Sequence, residues 1–272
     1  MKRYVRHLSV TAAALLIGLL AFVAIGPAPG SVAAQGEQKT ETKALEPFTK
    51  LQINGGGQAT LQFGPESSVT IEGNSLIVDR LDVAVANGTL TLGQSLTSAL
   101  DITGLSDLKY TIVTPSIDEI HLAGTVDLHV DPMMNQPSLV LGLTTAAEVF
   151  IPQISATSIM GKLDLLSTAH LAGSTTSLHM SVTNGSTLDA EQLQIGSAAL
   201  EVKGVSTVTV RVTEALTGTA SEGSTVSYVS DSVTPTLTTS TLARIEQLPM
   251  TPWEGAIAAP LPTASPVASP AA

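Results

Sequence analysis

From about Ile117 to Val212 the chain repeats itself roughly every twenty residues, and each repeat alternates apolar with polar side chains. Five segments align: GTVDLHV (124–130), TAAEVFI (145–151), STAHLAG (167–173), NGSTLDA (184–190) and GVSTVTV (204–210). Their fifth positions, Leu128, Val149, Leu171, Leu188 and Val208, are 21, 22, 17 and 20 residues apart. A second alternating pair precedes each segment: Ile120/Leu122, Leu139/Leu141, Leu163/Leu165, Leu178/Met180 and Leu200/Val202. Period-two alternation puts one set of side chains on each face of a strand. A single short coil cannot bury its apolar face alone, whereas stacked coils can, so a period near twenty describes a solenoid. The spacing predicts an all-β fold, a single-stranded parallel β-helix, right-handed because parallel crossovers take that hand. A β-sandwich is the alternative, since it too consists of many short strands with turns between them.

Upstream of the repeats the pattern is that of strands and hairpins. Leu51, Ile53, Ala59, Leu61 and Phe63 share one face, and Val69 and Ile71 continue it. Leu81, Val83 and Val85 lead into Asn87-Gly88, and Leu90 and Leu92 lead out. Asn-Gly between alternating runs signals a hairpin, because a type I′ turn needs positive φ at both central residues. Exposed strand ends invite pairing with other chains. These hairpins are the expected amino-terminal cap, and the segment around Tyr228 the other.

Both ends of the chain differ from this region. Lys2, Arg3 and Arg6 precede an uncharged, mostly apolar run from Leu8 to Ile25, and Val32-Ala33-Ala34 follows. That order describes a secretory signal peptide over residues 1–34, cleaved after Ala34. An uncleaved membrane anchor is the alternative, and only then would the protein meet a membrane. Residues 35–46 read as a polar, flexible lead, residues 47–232 as the β-helical domain and 233–254 as an extension. Residues 255–272, rich in Pro, Ala, Ser and Thr, read as a disordered tail. Removing residues 1–34 takes away three basic residues and no acidic one, so the net charge moves from -11 to -14. Such a charge favours solubility and disfavours nucleic acid as a partner.

Candidate chemistry lies on the outward faces of the repeats. The alignment predicts one column of Asp127, Glu148, His170, Thr187 and Thr207, with neighbours about 4.8 Å apart. A second column reads His121, Val140, Asp164, His179 and Glu201. Asp164, His179 and Glu201 on consecutive coils could hold a cation, or pair a base with an orienting carboxylate. Asp127 beside Glu148 could attract Ca²⁺. Solvated exterior residues with favourable His–carboxylate neighbours are the simpler explanation of both columns, so no catalytic residue, metal site or cofactor is assigned. There is no Cys for a thiolate site, and no nucleophile elbow, P-loop, H-E-x-x-H or Ca²⁺-loop motif. Within the repeats the basic residues are Lys162, Lys203 and Arg211, too sparse for a lyase-like cluster. Leu248-Pro249-Met250-Thr251-Pro252 resembles a sortase signal with Pro in place of the final Gly. Trp253, the single Trp, is expected either to dock the chain end or to stand exposed as a partner contact.

A family resemblance rests on several of these stretches. Phe48-Thr49-Lys50-Leu51-Gln52-Ile53-Asn54-Gly55, Val69-Thr70-Ile71-Glu72-Gly73, Asn87-Gly88-Thr89-Leu90-Thr91-Leu92 and Tyr110-Thr111-Ile112-Val113-Thr114-Pro115 resemble the putative auto-transporter adhesin, head GIN domain family. The Gly-rich repeats that follow are similar too. The resemblance implies an exported bacterial β-helix and supplies no catalytic residue. After Tyr228 the family tends to have Gly and then Pro, where this chain has Val229-Ser230-Asp231. The expected function is a non-enzymatic, adhesin-like module that binds a cell-surface, matrix or envelope component. Two alternatives are an extracellular hydrolase or lyase acting on polysaccharide, and an envelope-tethered structural or stress-sensing domain.

Overall fold

A computed structural model describes residues 37–94 and 107–253. The amino-terminal elements are β1 (Gln38–Ala44), β2 (Lys50–Phe63), β3 (Ser68–Asn74), α1 (Ser75–Val78), β4 (Leu81–Ala86), β5 (Thr89–Gln94) and β6 (Lys109–Thr114). The repeats form β7 (Glu119–Val130), β8 (Met133–Thr144), β9 (Glu148–Asp164), β10 (Thr168–Val182), β11 (Thr187–Val202) and β12 (Thr207–Ala220). They end in β13 (Thr225–Val229), β14 (Thr236–Thr239) and β15 (Arg244–Gln247). From β7 onward every pairing is parallel and joins successive coils, which makes a β-helix of about six turns and not a sandwich.

The interior is a set of aliphatic ladders. One runs through Ala59, Leu128, Val149, Ala169, Leu188, Val208 and Val226. Another runs through Ile53, Leu122, Leu143, Leu163, Val182, Val202 and Ala220. All of these side chains are buried. At Gly161 the coils approach closely: a Cβ there would sit 2.4 Å from the carbonyl oxygen of its partner Leu141.

The register corrects the sequence alignment at the third repeat. Ala169, not Leu171, stacks between Val149 and Leu188. The spacings become 21, 20, 19 and 20 residues. A two-residue slip keeps each side chain on its own face, so alternation alone cannot detect it. The preceding pairs shift likewise, to Leu141/Leu143, Gly161/Leu163 and Met180/Val182. Leu165, placed inside by that alignment, is exposed in a turn.

Those turns set the register. Thr145-Ala146, Leu165-Leu166, Asn184-Gly185, Gly204-Val205, Glu222-Gly223 and Thr241-Leu242 all have positive φ at both residues. Each turn's second N–H donates to the first carbonyl of the next turn. The links are Ala146 to Leu165 (2.8 Å), Leu166 to Asn184 (3.1 Å), Gly185 to Gly204 (2.7 Å), Val205 to Glu222 (3.0 Å) and Gly223 to Thr241 (2.9 Å). The parallel ladder therefore continues around the corner, and the peptides there are not left unpaired. Buried Ser167, Ser186, Ser206 and Ser224 follow the turns. Ser167 Oγ donates to the Asp164 carbonyl at 2.7 Å, and Ser206 Oγ to that of Lys203 at 2.6 Å.

Val205 occupies its turn with φ 60° while 73% exposed. A β-branched residue there is strained by about 1–2 kcal/mol. Replacing it with Gly, which the neighbouring coils use, is expected to stabilise by about 1 kcal/mol and raise Tm by about 2–4 °C. Thermal unfolding checks this; an unchanged or lower Tm would show the strain to be absent.

The chain enters its own stack from within. β2 lies between β7 on one side and β5 and β6 on the other. Residues 64–94 and 107–116 build the cap, with β3 antiparallel to β6, and β4 antiparallel to β5 through the Asn87-Gly88 turn (φ 52° and 73°). Gln38–Ala44, within the segment expected to be a flexible lead, instead forms β1. It pairs antiparallel with β3 because the outer edge of β3 offers unpaired backbone groups. The predicted signal peptide and the tail beyond Trp253 lie outside the described residues. At the other end, β14 and β15 continue the stack on β12 and β13. Tyr228 is thus followed by further coil.

A candidate polar groove with a closed end

The strands bend where their registers shift: between Met133 and Gln136, between Leu171 and Gly173, and between Ala190 and Gln194. The concavity left by the bends is a groove of about 710 Å³ spanning β8 to β12. An outward row crosses it from Ser155 to Ser174 to Gln194, flanked by Asn135, Thr157 and Thr176. None of these six side chains is hydrogen-bonded to another described residue, and none is charged. The groove therefore offers hydroxyl and amide groups on successive coils, about 4.8 Å apart.

The groove closes where β11 carries an excess over β12. Ala190 pairs with Val210 and Gln194 with Arg211, so three residues, Glu191 to Leu193, have no partner on β12, and Leu193 among them is buried in the core. The bulge frees carbonyls from the ladder, as bulges do. Arg211 Nε donates to the Glu191 carbonyl at 2.9 Å, and Trp253 Nε1 to that of Gln192 at 3.0 Å. Arg211 Nη2 also reaches Thr251 O (3.0 Å) and Oγ1 (2.6 Å), and Thr251 Oγ1 donates to Glu191 Oε1 at 2.7 Å. Leu248 N–H donates to Tyr228 O at 2.9 Å. The stretch that resembles a sortase signal is thus a strap folded onto the last coils. Both expectations for Trp253 hold in part: its indole N–H is docked, and 46% of the residue is exposed.

The predicted columns are partly regrouped. Asp127 and Glu148 are neighbours, as are Thr187 and Thr207. His170 lies two residues along, in a row of His129, Phe150, His170 and Asp189. The His129 and Phe150 rings stack at 5.1 Å, and Phe150 and His170 lie 6.2 Å apart. Asp164, His179 and Glu201 fall in three different rows. His179 follows Met160, Glu201 follows Ser181, and Asp164 pairs with Thr144. The two-residue slip separates them.

Asp164, Glu201 and Glu119 each make local structural contacts. Asp164 Oδ1 accepts from Thr183 Oγ1, Asn184 Nδ2 and its own turn's Leu165 N–H, tying one turn to the next. Lys162 beside it, with Asn184 and Thr183, pulls its pKa down to about 2. Glu201 is held low by Lys203. Glu119 bridges Lys50 (2.8 Å) and His121 (2.5 Å). Together with Lys162 and Asp164 these line a second cleft of about 690 Å³ whose charges pair with one another. Among the described residues no group of three or more His, Asp or Glu side chains could hold a metal ion.

His170 sits between two carboxylates, with Nδ1 3.3 Å from Asp189 and Nε2 3.6 Å from Glu148. The hydrogen bond to Asp189 raises its pKa against the effect of burial, and in return lowers that of Asp189. Stability from the raised His170 is full below about pH 6.5 and is lost as pH rises through its folded value. Stability from Asp189 is present above about pH 4 and is lost as pH falls through its depressed value. The pair is thus strongest in mildly acidic solution. The side chains are 30% and 50% exposed, so solvent screening limits the effect to less than about 1 kcal/mol. Asp189→Asn is expected to lower the His170 midpoint by NMR titration and to reduce stability at pH 6 more than at pH 8. Equal losses at both pH values would exclude the pairing.

Residues 47–232 match the family described as putative auto-transporter adhesin, head GIN domain. The chain belongs to that family. No curated protein matches it in sequence. The solved structure of a putative adhesin from Bacteroides fragilis is 17% identical, with TM-score 0.67 over 78% of this chain and 97% of that one. A putative lipid binding protein from Parabacteroides distasonis is 12% identical, with TM-score 0.63 over 79% and 98%. A putative adhesin from Parabacteroides merdae is 12% identical, with TM-score 0.58 over 79% and 97%. At these identities the likeness is one of fold. The head GIN match ends at Ser232, so β14, β15 and the strap, whose Met250 and Trp253 line the closed end, lie beyond it. Among the described residues no helix of this head GIN protein is long and apolar enough to cross a membrane.

Proposed function

We propose that this head GIN protein is exported and acts as an adhesin-like binding module, without catalysis, toward a polar polymer of a cell surface, matrix or envelope. The observation that carries this reading is the groove. It presents hydroxyl and amide side chains with free hydrogen-bonding capacity across four successive coils, β8 to β11. Such a lining suits a polymer with hydroxyls along its length more than an acyl chain, which would need apolar walls. Regular spacing lets many weak contacts add along an extended ligand, and rigid ladders beneath hold the donors in place at little entropic cost. Export rests on the signal-like amino terminus, and the acidic mature chain suits a soluble exterior protein.

The test is binding of residues 35–272 to glycan and envelope-component panels. Ser155→Arg/Thr176→Arg, which fills the groove, is expected to abolish the binding found. Thr207→Arg, exposed on another face, is expected to leave it intact. Absence of binding across both panels, or equal binding by the groove-filled variant, would remove the reading.

A further inference from the structure

The closed end of the groove differs chemically from its length. Past Gln194 and Thr213, which line both, lies a pocket of about 280 Å³. This is below the roughly 300–1,000 Å³ of drug-sized sites and on the scale of a single ring. Its walls have two characters. Trp253 and Met250 from the strap give an apolar side, and Gln194, Thr213, Asp231 and Arg211 give a polar one. Arg211 is only 6% exposed, and no carboxylate among the described residues lies within ion-pair distance of it. Its guanidinium uses Nε and Nη2 on Glu191 and Thr251, which leaves Nη1 without a described partner. Nη1 is not a buried orphan, since among the described residues Ser67 Oγ is the one such atom, so it meets solvent and can donate to a ligand in the pocket.

A pyranose ring has the same duality: an apolar C–H face and a rim of hydroxyls. We propose that this pocket is an end-residue subsite, which takes the terminal hexose of a neutral glycan whose following residues lie along the groove. Trp253 supplies the stacking face, its orientation fixed by the N–H bond to Gln192. Arg211 donates to ring hydroxyls while Asp231 accepts from them, so one charge of each sign in the lining matches a neutral ring rather than an acidic one. The strap forms one wall, so the pocket exists only with residues 248–253 docked. The inference rests on the groove reading and makes it directional: the chain end sits at Trp253 and the polymer runs back toward β8.

Because Trp253 is the single Trp, its fluorescence reports on this pocket alone. The probes are neutral β-linked oligosaccharides of glucose, galactose and mannose, from monomer to hexamer, added to residues 35–272. A bound series is expected to shift Trp253 emission and to protect it from iodide, with affinity rising with length. By calorimetry Trp253→Ala is expected to weaken binding about tenfold, as loss of an aromatic anchor does. Trp253→Phe, which keeps a ring but loses the N–H anchor, should retain most of the affinity. Equal losses for Ala and Phe would show that the ring face plays no part and would overturn the subsite. Calorimetric binding that leaves Trp253 emission and iodide quenching unchanged would also overturn it, with the groove reading still standing. No binding by any of these oligosaccharides would overturn the subsite, and the groove reading would then be decided by the glycan and envelope panels.

Discussion

Gly173→Ala is expected to destabilise the domain by at least about 3 kcal/mol and to lower Tm by about 10 °C. Gly173 has φ +120°, a conformation that L side chains rarely adopt. An added Cβ would lie 2.0 Å from the Ile154 carbonyl oxygen and 2.6 Å from its nitrogen. Both are backbone atoms of the coil below, so no rotamer change relieves the contact. The two coils would have to separate at the bend that shapes the groove. Gly55→Ala is the control: φ is +140°, yet nothing lies within 4 Å of the added Cβ. Its smaller loss would isolate the backbone cost from the clash. Gly173→Ala melting within about 2 °C of the parent would mean that the coils at this corner are not packed as described.

Leu188→Ala is expected to cost about 2–5 kcal/mol. Leu188 is fully buried and stacks between Ala169 and Val208. One neighbour on the ladder is already small, so truncation would join two short side chains into one void. The rigid coils cannot collapse into it without breaking the hydrogen bonds of the strands on both sides. Leu242→Ala is the matched control, since that side chain is 91% exposed and should change stability by less than about 0.5 kcal/mol. Equal effects at the two positions in denaturant unfolding would contradict the interior ladder.

The sequence revealed much of this architecture. Alternation separated inside from outside almost everywhere, and the period near twenty identified a solenoid. It failed on Leu165 because a strand can run into a turn without any change of residue type. Of the six paired turns, Asn184-Gly185 has the strongest signature. Leu165, Leu166 and Val205 adopt the same backbone although such residues do not favour it, held there by hydrogen bonds to adjacent coils. Those turns set the register, and the register sets every outward neighbour. Asp127 and Glu148 therefore meet, while Asp164, His179 and Glu201 do not.

The groove itself was not legible. Ser155, Ser174, Thr157 and Thr176 resemble dozens of other Ser and Thr residues in the chain. Only the stacked bends collect them in one concavity. The closed end depends on Arg211, Glu191 and Thr251, where the first and last are 40 residues apart and the latter two 60. No local pattern joins such distant residues.

What the sequence determined by itself was the repeat, the face of each strand and the family, because these depend on side-chain periodicity and short motifs along one chain. What the tertiary structure decided was which outward residues become neighbours and where a ligand could lie. That choice is made by hydrogen bonds between coils, at turns and bulges whose conformation is imposed by the stack.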